Sequence, residues 1–316
     1  MTESPESQLW NLMRGALTAR VLGIVAELGV ADALAGGPRA VADVAREIGA
    51  DADMLFRSLR ALASDGVFGE DEPGVFRNTE ASQRLRRGGG WDDFAYLFGN
   101  VFLRSAAALE ADGEPTFERL HGTDYWAWLA EHPDDRAAFD RAMEQGKEGR
   151  IERLDAVEWR GDETVVDVGG GNGSLLRLLL DRHPGLRGIV FDLPETVRDE
   201  SSFGDRLEFV AGSFFERVPR GDAYVLSTIL HDWNDESALK ILQTIRTAAP
   251  DDARLILVEG VVEPGNEPDG AKWLDLLMLA ISGGREHDEA QWRALLERGG
   301  FGVERIGEGL IEARCR

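Results

Sequence analysis

His231, in Leu230-His231-Asp232-Trp233-Asn234-Asp235, points most directly to chemistry. An imidazole titrates near neutrality and so exchanges protons at physiological pH. A lone histidine is more often structural, but here two acids also follow apolar runs. They are Glu259, closing Leu257-Val258-Glu259, and Glu286, in Gly283-Gly284-Arg285-Glu286. A buried carboxylate closing a strand is costly without a partner, and a histidine is an obvious one. An imidazole oriented by a carboxylate is a general base, a role worth ~10²–10⁴ in rate. A phenol, with a pKa of ~10, is the kind of acid that needs such help at neutral pH. The five histidines have no paired spacing and the single Cys315 has no partner cysteine, so no metal cluster is expected.

A second constellation is Val165-Val166-Asp167-Val168-Gly169-Gly170-Gly171-Asn172-Gly173-Ser174, a buried-strand pattern running into glycines and then a helix. Glycine lets the backbone approach a ligand that a side chain would hold off. Such a loop alone also fits an ordinary tight turn. Phe191-Asp192 closes the next apolar run, where a carboxylate holds the two hydroxyls of a ribose. That acid serves dinucleotides and S-adenosylmethionine alike, so these residues indicate an adenosine-containing cofactor without choosing one. Gly212-Ser213-Phe214-Phe215 ends the third run, with Phe214 placed to stack on adenine and Ser213 to bond its edge. Packing in the core is the alternative for both phenylalanines.

The elements that must position these residues follow from periodicity. Apolar runs at 164–168, 188–191, 207–210, 223–226 and 255–258 alternate with helical patterns, among them 174–182, 236–249 and 288–298. That alternation predicts an α/β fold with a doubly wound parallel sheet. Two closing runs, 302–306 and 310–314, are too close for a crossover helix and should pair antiparallel. Upstream, Leu9, Leu12, Met13, Leu17, Val21, Val25 and Leu28 form one apolar helical face. Helices over 40–48 and after Asp51, then a hairpin around the acidic tip 70–74, outline a winged helix. Residues 91–155 read as wholly helical and rich in aromatics. At 316 residues two domains are expected, and the boundaries fall at 1–100, 101–155 and 156–316.

A net charge of −23 repels polyanions, which argues against nucleic acid and anionic membrane surfaces. It also counts against a winged-helix DNA-binding regulator, whose recognition helix would offer only Arg57 and Arg60. A dimerisation module is the better reading. The acidic start, 1–8, has no apolar signal core, and 9–30 is interrupted by Arg14, Arg20 and Glu27. A cytoplasmic protein without a targeting segment or membrane anchor is expected.

Taken together these segments resemble the plant caffeic-acid-type O-methyltransferases and their actinobacterial relatives in natural-product biosynthesis. The likeness covers nearly the whole length and is most specific at Asp192-Leu193-Pro194 with His231-Asp232-Trp233. It implies a seven-stranded Rossmann-like methyltransferase sheet behind a winged-helix-like domain that forms a homodimer. The cofactor would be S-adenosylmethionine, contacting Gly169, Gly171, Asp192, Gly212, Ser213, Phe214 and Ser227. His231 would be the base, flanked by Glu259 and Glu286. A small aromatic hydroxyl substrate would meet Phe139, Met143, Asp232 and Met278. Two positions depart from the family: Ser213 replaces its usual acid, and Ser227 stands where plant members often have lysine. A hydroxylase or decarboxylase on the same scaffold is the alternative that the resemblance leaves open.

Overall fold

Alternating side chains along the central strands explain the architecture. Val166, Val168, Tyr224, Leu226, Leu255 and Leu257 enter one core, while Val165, Val225, Ile256 and Val258 enter another. A sheet buried on both faces requires apolar residues at both phases of the pleat, with helices over each. The computed structural model describes residues 4–88, 90–194, 196–197 and 204–316. The first three residues of the acidic start, and Gly89 in the glycine run, lie outside them.

Two compact units result. One runs to Ala108 and takes in Glu131–Gln145; the other comprises Leu109–Ala130 and Gly146–Arg316. The helical stretch 101–155 is thus divided between the units.

In the first unit, Val25, Val30, Leu34, Val44, Leu55, Leu59, Leu62, Phe68 and Phe76 make the core. Asp51 caps the helix Ala52–Ser64 by accepting from the Met54 amide at 2.8 Å. The expected two-stranded wing is three-stranded: β1 (Arg39–Ala40) pairs antiparallel with β3 (Val75–Asn78), which pairs with β2 (Phe68–Glu72). Two residues are too few to show a period in sequence. The apolar stretch from Leu9 is also not one helix but Pro5–Met13, Gly15–Glu27 and Val30–Ala33, the last beginning after left-handed Gly29. Val25 is buried, whereas Leu9, Leu12, Met13 and Leu17 are exposed.

The second unit holds β4 (Thr164–Val168), β5 (Arg187–Asp192), β6 (Leu207–Ala211), β7 (Ala223–Ser227), β8 (Arg254–Val258), β9 (Phe301–Gly307) and β10 (Leu310–Cys315). They form a seven-stranded sheet in the order β6-β5-β4-β7-β8-β10-β9. β10 runs antiparallel to both of its neighbours, and the other pairings are parallel. The order reverses between β4 and β7, which places a ligand crevice beyond their carboxyl ends. Among the described residues, no helix is long and apolar enough to cross a membrane.

At the opposite, amino edge of this sheet, Arg254 grips Glu163 through Nε at 3.1 Å and Nη2 at 2.5 Å. Their side chains are 7% and 1% exposed, and the guanidinium lies over the Trp159 ring. Removing one partner strands a buried charge. Arg254→Met is therefore expected to cost about 3–5 kcal/mol in denaturant unfolding. Activity per folded molecule should stay unchanged, because the pair is remote from the ligand edge.

Candidate active site

The strand ends build the site in two halves. Around β4 and β5, the Gly169 amide bonds Phe191 O at 2.8 Å, and the Gly171 amide donates to Asp192 Oδ2 at 2.8 Å. Asp192 Oδ1 accepts from the Leu193 amide at 2.6 Å, so Oδ2 is the oxygen held by the glycine loop. Gly169 has φ +75°, and a Cβ there would lie 2.5 Å from the Ile229 side chain. Gly212 follows β6, where a Cβ would meet the Phe191 ring at 2.7 Å. Glycine at 169 and 212 is thus a steric requirement of the crevice floor.

Two buried polar atoms along this floor have no protein partner. One is Asp167 Oδ2, on β4; the other is Ser227 Oγ, closing β7. Burial, and next the neighbouring Asp192, push the Asp167 carboxyl up to about 7, opposed by Arg150. Ser213 Oγ accepts from the Phe215 amide at 3.3 Å. Phe214 and Phe215 meet Trp233 edge-on, at centroid distances of 5.8 and 4.8 Å, and Trp126 stacks on Trp233 at 6.3 Å. Trp233, in the same turn as His231, is a site residue that the motifs do not single out, whereas Asp167 belongs to the strand that runs into the glycine loop.

The second half is the turn after β7. Thr228 sits at φ +54°, unusual for a β-branched residue, and its amide is held by Val258 O at 3.0 Å. Glu259 Oε1 then accepts from the Ile229 and Leu230 amides, both at 2.8 Å. His231 follows, 9% exposed. Its Nδ1 lies 2.6 Å from Glu286 Oε1, and its Nε2 lies 3.7 Å from Asp232 Oδ1. An ionised carboxylate only accepts, so Nδ1 carries the hydrogen of that contact and Nε2 lies on the Asp232 side. Glu286 alone of the two acids bonds the ring; Glu259 holds the backbone that carries it.

The electrostatics follow from burial. Desolvation presses the His231 pKa down, but Asp232, Glu259 and Glu286 outweigh it and raise it to about 10. Burial raises Asp232 to about 6 and Glu259 to about 7, in each case against the pull of His231. His231, Asp232 and Glu259 titrate as a cluster that shares its protons.

Met278 is buried on the helix Gly270–Ser282 of this unit. Phe139 and Met143 are half-buried on the helix Pro133–Met143, in the first unit.

The chain matches the O-methyltransferase domain family over residues 103–302 and the O-methyltransferase dimerisation domain family over residues 10–88. It belongs to the O-methyltransferase family. The phenazine O-methyltransferase PhzM of Lysobacter antibioticus is 36% identical to it, over 98% of this chain and 96% of that protein. The crystal structure of LaPhzM superposes with a TM-score of 0.92 at 36% identity, covering 99% of this chain and 100% of that one. NcsB1, from neocarzinostatin biosynthesis, was solved with S-adenosyl-L-homocysteine and 1,4-dihydroxy-2-naphthoic acid. It gives a TM-score of 0.81 at 31% identity, covering 95% of this chain and 96% of that one.

Gly284 tests how tightly the turn is clamped. A Cβ there would lie 2.1 Å from His231 O and 2.6 Å from the Asp232 carbonyl carbon, although the backbone itself would tolerate alanine. Gly284→Ala must displace the His231 turn, and displacements of ~1 Å cost on the order of 10² in rate. Steady-state assays should show that fall in kcat, together with a lowered unfolding midpoint, because overpacking against backbone costs about 1–3 kcal/mol.

Proposed function

We propose that this O-methyltransferase moves a methyl group from S-adenosylmethionine to a hydroxyl of a small aromatic molecule, with His231 as the general base. The observation that carries the reading is the His231–Glu286 contact beside the glycine-lined crevice. The aromatic acceptors named for the relatives support the substrate class.

The residues present fit the donor. Asp192 would hold the ribose hydroxyls, Gly169, Gly171 and Gly212 would leave room for the backbone to approach, and Phe214 would cover the adenine. Ser213 and Ser227 offer hydroxyls along the same floor, and the unpartnered Asp167 Oδ2 suits a cationic amino-acid tail. When bound, S-adenosylmethionine supplies an electrophilic methyl group on a positively charged sulfur.

His231 Nε2 takes the hydroxyl proton as the oxygen becomes a nucleophile. Glu286 fixes the ring through Nδ1 and stabilises the imidazolium that forms. Asp232 lies on the Nε2 side and stabilises the same charge. A cation bound beside the ring disfavours the imidazolium, so His231 releases its resting proton more readily with donor present. Asp232 and Met278 border the acceptor in this reading. Phe139 and Met143 join them through the family resemblance alone. The division into a dimerisation region to about residue 100, a connector to 155 and a catalytic region beyond belongs to the same proposal. So does a homodimer formed through the first region.

His231→Ala should lower kcat by ~10²–10⁴ while S-adenosylhomocysteine binds as before. Turnover kept at the original level would remove His231 from the mechanism, and products must gain the mass of one methyl. For the unsubstituted enzyme, kcat/KM reports the free protein and requires neutral imidazole. It should climb with pH toward the region of about 10. Glu286→Gln removes one source of that elevation, so its climb should begin at lower pH, with a lower plateau.

A further inference from the structure

We infer that Asp275 is a positioning residue for the base: it anchors the backbone of Glu286 so that the Glu286 carboxylate meets His231 Nδ1. The inference rests on the reading of His231 as the base. Asp275 lies in the helix Gly270–Ser282, and its Oδ1 accepts from the Glu286 amide at 2.9 Å.

Four successive amides hold the segment that carries Glu286. The Gly283 amide bonds Leu279 O at 3.3 Å, and the Gly284 amide bonds Met278 O at 3.1 Å, both ordinary endings for this helix. The Arg285 amide bonds His231 O at 2.8 Å, tying the segment to the very turn that it supports. Only the fourth amide, that of Glu286 itself, is held by a side chain. Beyond this anchor the Glu286 side chain must reach Nδ1 past Gly260, where a Cβ would come within 2.7 Å of Oε2. The Oε2 atom has no partner, so nothing else bonded to that carboxylate corrects its aim. A small rotation of the Glu286 backbone would swing Oε1 off the ring.

Asp275 also stands three residues before Met278, a spacing that puts the two on neighbouring sides of one helix. An acceptor pressing on Met278 would therefore bear on the helix that sets the base.

Two substitutions separate this role from bulk stability. Asp275→Leu keeps the size and removes the acceptor; Asp275→Asn keeps an acceptor oxygen. Asp275→Leu should lower kcat roughly tenfold or more, since misplacing a reacting group by ~1 Å costs on the order of 10² in rate. S-adenosylhomocysteine affinity should hold, and Asp275→Asn should retain most of the rate. The proton on His231 Nδ1, read by NMR as a downfield resonance, should move or vanish in Asp275→Leu and persist in Asp275→Asn. In a Glu286→Ala background, which has no side-chain oxygen left to aim, Asp275→Leu should add nothing further.

An unmoved resonance in Asp275→Leu, or losses that multiply in the double substitution, would overturn the inference. Should Asp275→Leu not fold, Asp275→Ser, too short to reach the amide, is expected to give the same loss of rate and resonance. The resonance is read without turnover. Failure of His231 as base, seen as full activity in His231→Ala, is thereby distinguished from failure of the positioning.

Discussion

The contact between His231 Nδ1 and Glu286 Oε1, 2.6 Å long and closed to water, constrains everything around it. A buried carboxylate and imidazole lose hydration that only good geometry returns. The surrounding backbone is arranged to keep that geometry. Glu259 grips the amides before the histidine, Arg285 bonds its carbonyl, Gly284 leaves room for the His231–Asp232 backbone, and Gly260 leaves room for the Glu286 carboxylate. Thr228 is held in a conformation that costs of order 1–3 kcal/mol, a strain that neighbouring contacts must offset.

The carboxyl edge of the sheet is unusually acidic for a buried region. Asp167, Asp192, Asp232, Glu259 and Glu286 all fall there or on the turns above it. Burial first, and then repulsion from neighbouring acids, raises Asp167, Asp232 and Glu259 toward neutrality. Such an edge favours a cationic ligand and disfavours an anionic one. A dinucleotide pyrophosphate would meet repulsion where a sulfonium and an ammonium meet attraction. The choice between adenosine-containing cofactors, open at the level of the glycine motif, is made by membership of the O-methyltransferase family, and the acids of this edge suit it.

The scale of the fold was legible because its signals are local. Short continuous apolar runs bounded by glycine and proline mark strands, and Ser174–Arg182 has the same limits in pattern and in structure. The antiparallel closing pair followed from loop length alone. Short elements were not legible. β1 has two residues, and the break at Arg14 leaves the apolar spacing of its neighbours unchanged.

The amino-acid order determined which residues would reach the ligand edge, because residues that close a parallel strand or begin the turn after it lie at its carboxyl end. His231, Asp192, Glu259 and the glycines were readable for that reason. Only the tertiary structure decided which acid would touch the imidazole. Glu286 lies 55 residues beyond His231, Asp275 comes from another helix, and Trp126 and Trp233 meet from distant segments. Such pairings depend on how helices and turns pack in three dimensions, and no spacing along the chain encodes them.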